Sequence, residues 1–373
     1  KILKIGGKLQ IGGKIQLRSS LYRINYQFRQ LGFTLESDTP SFQLGTLSGI
    51  SYVSYQKRLF PNLLMDAGLR TTYYLPPNRI YLDPRLRFRY RLGEYLNAHF
   101  AAGIYHQFAY QLEEPNDYQV GQRIWVQAAL EGLPVLRAGQ FTTGLQYHKD
   151  AWDLQFTFYA RRTQNLVSWN PSLTFFDVQN LPRRTQLSTG SSRSEGVEFM
   201  LQRLGRKHQV WLGYSLSRTR FIFSTLNNGE AFDAPQDQRH RIKAAYMYHK
   251  KRWHLSTSFQ LASGQPFNKP SIQINQRGNP VLTFTDSLNL KRLPSNHQVN
   301  LSATYDWHIR SIEHNWVGNM GISIFNLYNR RNVIGKTFIF EEENDQTGTT
   351  NEIRDLDRVS VGFTPTLFVS LNW

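Results

Sequence analysis

The sequence contains no cysteine, which excludes disulfide bridges, thiolate metal sites and a cysteine nucleophile. It also lacks any apolar run of about 18 residues or more, so it predicts no transmembrane helix. Acidic residues are few beside basic ones, 27 against 44, and the formal net charge is +17. Because the basic residues are spread singly rather than in blocks, we expect no nucleic-acid partner.

The sequence also lacks any constellation of residues that would carry bond chemistry, so we predict that the protein is not an enzyme. Its ten histidines are scattered, and none has the paired spacing of a His-Glu-x-x-His metal site. The acidic run Glu341–Glu343 and the pair Asp233 and Asp237 are more typical of solvated loops than of cation sites. We therefore predict no metal site and no cofactor.

What the sequence does contain, from end to end, is alternation of apolar and polar residues with the period of a β-strand. We predict one strand over Arg358–Trp373, with an apolar face and a mostly small, polar face. An aromatic residue at the end of such a strand is typical of the headgroup level of a transmembrane barrel. The residues that we expect to anchor this strand and to support its membrane assembly are Phe363, Leu367, Val369, Leu371 and Trp373.

The sharpest alternation is a row of four arginines, which cannot line a soluble core. Charge at the middle of a bilayer costs about 2–4 kcal/mol in a barrel, so the row is not expected to face lipid. We interpret it as part of a wet lumen wall, which either attracts anionic solutes or pairs with acidic groups of something that fills the lumen. The candidate substrate-binding residues are Arg85, Arg87, Arg89 and Arg91, which alternate with Leu86, Phe88, Tyr90 and Leu92.

The predicted strands are joined by tight turns and long connections in alternation. Long structureless loops are uncommon in soluble domains, whereas short periplasmic turns opposite long exterior loops are typical of outer-membrane barrels. We therefore predict an all-β, transmembrane antiparallel β-barrel with about 14 strands in this chain. The predicted exterior loops, which include a mostly irregular stretch at 111–138, are 31–47, 111–138, 166–193, 224–238, 264–295 and 329–357.

Several short motifs resemble the barrel of TonB-dependent outer-membrane receptors, particularly those of the Bacteroidetes type. Each motif is weak alone, and their order over residues 83–373 carries the resemblance. The motifs are Asp83-Pro-Arg-Leu-Arg-Phe-Arg-Tyr90, Arg193-Ser-Glu-Gly-Val-Glu198, Asp237-Gln-Arg-His-Arg-Ile242, Ser263-Gly-Gln-Pro-Phe267, Leu293-Pro-Ser-Asn-His297, Phe325-Asn-Leu-Tyr-Asn-Arg330 and the terminal Trp373.

The resemblance implies an importer of siderophore-, cobalamin- or oligosaccharide-like solutes in the outer membrane of a Gram-negative bacterium. It implies a barrel of about 22 strands with an N-terminal plug in its lumen. The implied partners are the imported solute, outer-membrane lipid and lipopolysaccharide, the barrel-assembly machinery, and TonB-ExbB-ExbD acting through the plug. Since the plug and the first strands are absent, we expect residues 1–373 to be a partial barrel domain from a longer polypeptide. An ending of the kind seen in SusC-like glycan importers is also absent, which disfavours a lipoprotein lid.

Two other functions stay open at this point. Fourteen is an even number, so the strands would close as a self-contained passive, porin-like channel without a plug or energy source. The other open hypothesis is that the barrel is a structural subunit of a larger envelope assembly. A cytoplasmic β-sandwich is disfavoured by the loop asymmetry.

Overall fold

The computed structural model describes residues 7–22, 25–30, 33–38, 42–75, 77–114, 122–128, 132–169, 187–269, 271–274, 280–283, 288, 290–310, 315–345 and 348–372. This part of the chain is almost entirely β-strand, with one short 3₁₀ turn at Asn227–Gly229. No helix in it is long and apolar enough to cross a membrane.

The strands are β1 (Gly7–Tyr22), β2 (Asn25–Gln30), β3 (Phe33–Asp38), β4 (Phe42–Phe60), β5 (Leu63–Leu75), β6 (Arg79–Arg91), β7 (Leu96–Gln107), β8 (Ala109–Glu114), β9 (Gln122–Gln127), β10 (Leu136–Lys149), β11 (Trp152–Trp169), β12 (Leu187–Leu204), β13 (His208–Phe223), β14 (Phe232–Asp233), β15 (His240–Lys250), β16 (Trp253–Ala262), β17 (Pro266–Phe267), β18 (Ser271–Ile274), β19 (Pro280–Thr283), β20 (Lys291–Arg292), β21 (Asn296–Arg310), β22 (Asn315–Phe325), β23 (Val333–Asp345), β24 (Gly348–Val359) and β25 (Thr364–Asn372).

One large antiparallel sheet dominates the fold. Its strands follow one another in the order β1-β4-β5-β6-β7-β10-β11-β12-β13-β15-β16-β21-β22-β25, and the short β14 pairs with β13 beside this path. The path has 14 strands, so the predicted all-β antiparallel architecture and strand number are confirmed for the described residues. Within that part of the chain, β1 and β25 each pair on one side only.

The sheet has one polar and one apolar face. Directly paired residues on antiparallel strands point to the same side of a sheet, so the registers follow each face through all the strands. The polar face includes Lys8, Gln10 and Lys14 on β1, Thr142 and Gln146 on β10, and Ser370 on β25. The apolar face includes Ile11 and Ile15 on β1, Phe141 and Leu145 on β10, and Leu367 and Val369 on β25.

Large side chains on the apolar face remain exposed at both edges of the sheet. Ile15 is 80% exposed and Leu367 is 78% exposed. A continuous apolar surface of this kind is unstable in water, because burying such side chains releases roughly 25 cal/mol per Å². Contact with lipid removes this cost, and it makes the apolar face the outer face of a barrel.

The predicted strand Arg358–Trp373 was wrong at its start. Arg358 belongs to β24, and β25 begins only at Thr364. The intervening backbone bonds to an asparagine side chain rather than to a strand, since the N–H of Phe363 donates to Oδ1 of Asn329 at 2.9 Å. Trp373 lies outside the described residues.

The prediction of mostly irregular structure at 111–138 was also wrong. This stretch contains the end of β8 and all of β9, which form a separate two-stranded hairpin. Similar hairpins, β2–β3, β18–β19 and β23–β24, lie within or overlap other predicted loops. Irregular structure was predicted at 111–138 because the stretch is polar and contains Pro115 and Pro134. A hairpin that does not turn one face to lipid need not alternate, so it leaves no such pattern in the sequence.

Candidate functional site

The arginine row lies on the polar face, and we call it the basic wall: Arg85, Arg87, Arg89 and Arg91. In the register with β7, Arg85 lies opposite Gly103 and Arg87 lies opposite Ala101. These small neighbours leave space for the long arginine side chains. All four arginines are exposed, and the sheet turns them away from the apolar face. The register is therefore consistent with the prediction that these arginines do not face lipid.

The charges of the basic wall are not neutralised within the described part of the chain. None of its four arginines forms an ion pair there, although Asp66 lies directly opposite Arg87. The guanidinium of Arg85 instead lies 5.0 Å from the ring centroid of Tyr105. Because cation–π contact leaves a positive charge in place, the wall presents a concentrated positive field to whatever lies beside it.

A buried polar pair closes the end of the wall nearest the long connections. Asp83 is 2% exposed, and its Oδ1 lies 2.7 Å from Nδ1 of His106. Arg70 lies opposite Asp83 in the register, and its buried Nε has no hydrogen-bond partner among the described residues. The sheet therefore changes here from an open charged surface to a packed polar core.

The hairpin β8–β9 packs on the polar face above this pair. The hydroxyl of Tyr74, a polar-face residue, donates to the carbonyl oxygen of Ala128 at 2.9 Å. The Tyr74 ring lies 4.5 Å from that of Phe108, and Leu112 and Val126 complete the buried cluster. Part of the long connection thus folds inward over the polar face and narrows the space in front of it.

Two aspartates, Asp233 and Asp237, join a second connection to the sheet. Nη2 of Arg292 on β20 lies 2.5 Å from Asp237 and 2.6 Å from Asp233. Arg239 and Arg218 bind Asp233 as well, both at 3.2 Å. We call these five residues the rim network. Arginines bind both carboxylates. The prediction that the two aspartates lie in a solvated loop is wrong for Asp237, whose side chain is 1% exposed because it packs between Arg292 and Arg239.

Hydrogen bonds within the rim network shift the pKa values of Asp233 and Arg292. Burial works against ionisation of Asp233, but hydrogen bonds from Arg292 and Arg218 outweigh it and hold the pKa of this carboxyl below its usual range. Burial also lowers the pKa of Arg292, and hydrogen bonds to Asp237 and Asp233 more than offset this, so the pKa is raised. Both shifts favour the charged forms of Asp233 and Arg292.

An asparagine cluster, Asn326, Asn329 and Asn332, joins the long connection after β22 to the sheet, next to the edge strand β25. Asn326 is 0% exposed, and its Nδ2 donates to the carbonyl of Val361 at 3.1 Å. Asn332 is 1% exposed and bonds to the backbone at the start of β21. Asn326 and Asn329 have φ angles of 55° and 57°, a region that asparagine tolerates better than most residues. Asparagine side chains of the motif Phe325–Arg330 therefore hold the backbone of the connection between β22 and β25 in place.

The remaining candidate residues are only partly brought together. Leu367, Val369 and Leu371 share the apolar face of β25, whereas Phe363 lies just before the strand. Their role in membrane anchoring stays a prediction. Glu341–Glu343 lie in β23, and their side chains are outside the described part of the structure. Within the part that is described, no group of acidic or histidine side chains is arranged to hold a metal ion.

Sequence reasoning missed Arg292 and the asparagine cluster. Neither carries a periodic signal, because their partners are backbone groups or side chains far away in the sequence. Arg292 and Asp237 are separated by 55 positions. The short motifs were the available signal for these contacts. Asp237, the partner of Arg292, opens one of the quoted motifs, and Asn326 lies within another.

The two-faced antiparallel sheet, with its tight turns and long hairpins, defines a transmembrane β-barrel wall. The family model "TonB dependent receptor-like, beta-barrel" matches residues 136–329, just over half of the chain. The chain belongs to this family of β-barrels, which lie in the outer membrane of Gram-negative bacteria. No curated protein matches it in sequence.

Solved structures with the same fold are transporters and receptors. The unliganded ferric citrate transporter FecA has a TM-score of 0.61 and 13% identity, covering 97% of this chain and 50% of that one. The ferric yersiniabactin uptake receptor FyuA from Yersinia pestis has a TM-score of 0.60 and 11% identity, covering 97% and 51%. The copper transporter OprC has a TM-score of 0.58 and 13% identity, covering 98% and 53%. The chain thus spans about half the length of these proteins, and at such identities the likeness shows the fold alone.

Proposed function

We propose that this chain forms a large part of the barrel of a receptor that imports a scarce solute with energy supplied through TonB. Family membership supports the receptor class. The solved relatives are named for ferric citrate, ferric yersiniabactin and copper, and these names favour a metal chelate of the siderophore kind. The strands act as a rigid wall, and the long connections on one side capture the solute. No residue performs bond chemistry.

The two outer strands of the sheet support a barrel that is larger than this chain. Among the described residues, β1 and β25 each have one free edge. In a bilayer every backbone N–H and C=O must be paired, so an open edge in lipid is not tolerated. We infer that residues 1–373 are a partial barrel domain and that further strands complete it.

The observation that carries the proposal is the basic wall. Four exposed arginines without ion-pair partners in the described structure call for negative charge beside them. In the proposed receptor, acidic groups of a plug inside the lumen supply it. The plug then closes the barrel and passes the pull of TonB to the solute, while the wall holds the plug at rest through charge-assisted hydrogen bonds.

Charge reversal in the full-length receptor tests this role. The double variant Arg87→Glu and Arg89→Glu repels an acidic plug, so we expect a higher resting conductance in planar bilayers and lower energised uptake. The matched control is Arg206→Glu, an exposed residue in the tight turn between β12 and β13. Unchanged conductance in the double variant would contradict the proposed plug contact, whatever happens to uptake.

A passive channel is the second candidate, because the sheet path has an even number of strands, 14. It requires β1 to pair with β25. A scan of cysteine pairs along the free edges of these two strands, in intact outer membranes, separates the candidates. Efficient cross-linking would favour the closed channel, whereas the importer predicts none, since other strands lie between them.

A further inference from the structure

Three arginines form a row on the apolar face, where charge is not expected. Arg162 on β11 lies directly opposite Arg193 on β12, and Arg193 lies directly opposite Arg220 on β13. Neighbouring strands are about 4.8 Å apart, so the three guanidinium groups lie within reach of one small anion. Like charges directly opposite one another destabilise a sheet. A ligand that neutralises them would remove that cost.

The sheet itself does not neutralise the row. Glu195 lies 2.9 Å from Nη2 of Arg193 and compensates that arginine. Neither Arg162 nor Arg220 forms an ion pair with any residue that the structure describes. Asp233 lies opposite Arg220 in the register, but its carboxylate is held by the rim network. Two positive charges are therefore left for an external partner.

The row stands at the height expected of lipid headgroups. From Trp152 at the tight-turn end of β11 to Arg162 there are ten residues, about 33 Å along the strand. A strand tilted by about 45° rises roughly 24 Å over this length, close to the apolar band of about 25 Å in barrels. Between them the apolar face of β11 carries only Leu154, Phe156, Phe158 and Ala160.

An apolar groove runs beside the row on the same face. It has a volume of about 790 Å³, and its lining includes Ala102, Phe141 and Ala160 together with Arg162. Gly139 lies directly opposite Arg162, and a Cβ added at Gly139 would meet no atom within 4 Å. The groove is thus open next to the charges, and small side chains form its floor.

We propose that this surface binds one phosphorylated lipid of the outer leaflet. The row Arg162, Arg193 and Arg220 holds a headgroup phosphate, since guanidinium groups bind phosphate oxygens in a bidentate way. One acyl chain lies in the groove over Gly139. This site is on the outer face, so it is separate from import through the lumen.

Lipid retention by the full-length receptor in detergent tests the site. Native mass spectrometry counts the bound molecules after incubation with lipid A, which carries phosphates, or with dephosphorylated lipid A. The wild type is expected to retain one lipid A and to release the dephosphorylated form. Each arginine removed is expected to weaken retention about fivefold, so Arg162→Gln with Arg220→Gln weakens it about 25-fold. The control Arg241→Gln with Lys243→Gln also removes two charges, from exposed residues on the polar face of β15 that do not line the groove, and leaves retention unchanged.

A second variant tests the groove without touching the charges. Gly139→Phe fills the open space and is expected to reduce retention while the barrel still folds, as judged by its heat-dependent shift in electrophoresis. Retention of lipid A at the wild-type level by the double arginine variant would overturn the proposal. So would an equal loss in the control Arg241→Gln with Lys243→Gln, which would mark a non-specific charge effect. Full displacement by inorganic phosphate with no effect of Gly139→Phe would reveal a free-anion site instead.

Discussion

Phe368 on β25 lies across Gly321 on β22. The two residues are directly paired on the polar face, and a Cβ added at Gly321 would lie 2.7 Å from Cζ of Phe368. It would also lie 2.7 Å from the carbonyl oxygen of Ala303. This contact explains why one large aromatic residue stands on the otherwise small, polar face of the last strand: its ring covers a glycine, as aromatic rings do in other sheets.

The replacement Gly321→Val is therefore expected to loosen the last strand. Neither the paired ring nor the backbone oxygen can move far, and overpacking of this kind costs about 1–3 kcal/mol. The midpoint of the heat-induced electrophoretic shift should fall. The control is Gly49→Ala, since a Cβ at Gly49 meets no atom within 4 Å. An equal effect in both variants would contradict the role of Phe368.

The orientation of β25 is tested by placing one charge on either face. Leu367→Lys puts an ammonium group on the apolar face, where it costs about 2–4 kcal/mol near the middle of the bilayer. Ser370→Lys puts the same group on the polar face of the same strand and should fold nearly normally. The yield of folded receptor in outer membranes is the measurement. Reversed sensitivities would contradict the assignment of the faces.

Asp237 is expected to be essential for order at the rim. Its side chain is 1% exposed, and it accepts from Arg292 and from the backbone N–H of Thr219 at 2.6 Å. Asp237→Ala leaves the N–H of Thr219 without its acceptor and leaves Arg292 with Asp233 as its remaining carboxylate. The cost approaches the roughly 3–5 kcal/mol of a broken buried charge pair. Hydrogen exchange in residues 232–240 should accelerate. The control Asp355→Asn removes an exposed carboxylate bound to Lys336 and should leave this region unchanged.

The pH dependence of the rim follows from the lowered pKa of Asp233. A carboxyl whose pKa is lower in the folded state contributes stability above its unfolded pKa, and it loses that contribution as the pH falls through the folded value. Protection of the rim from hydrogen exchange should stay level from neutral pH down to about pH 4, near the ordinary pKa of aspartate, and fall only below it. A loss of protection between pH 7 and 5 would contradict this account.

The hydroxyl of Tyr74 is expected to hold the hairpin β8–β9 down. Tyr74→Phe keeps the ring contact with Phe108 and removes the hydrogen bond to Ala128, which is worth about 1 kcal/mol. Limited proteolysis within residues 109–127 should become faster by about fivefold. Tyr73→Phe is the control, because Tyr73 lies on the apolar face of the same strand. Equal cleavage of the two variants would contradict this role.

The sequence was most informative where lipid imposes a rule on the chain. Inside the bilayer one face must be apolar, so residues such as Leu367 and Arg87 could be assigned to opposite faces from the two-residue period alone. Beyond the bilayer that rule ends. The hairpin β8–β9 and the break before Thr364 depend on single contacts, those of Tyr74 and Asn329, which have no period. The position of Arg162 on the apolar face was not predicted, because this residue lies where the apolar alternation of β11 stops.

The intact mass and N-terminal sequence of the native polypeptide, extracted from outer membranes, test the central claim most directly. This chain has a mass of 43.5 kDa. The account predicts a species of roughly twice that mass, with further strands and a lumen-filling plug before Lys1, as expected for a plugged barrel of about 22 strands. A species near 43.5 kDa that begins just before Lys1 would contradict the account and would favour the passive channel.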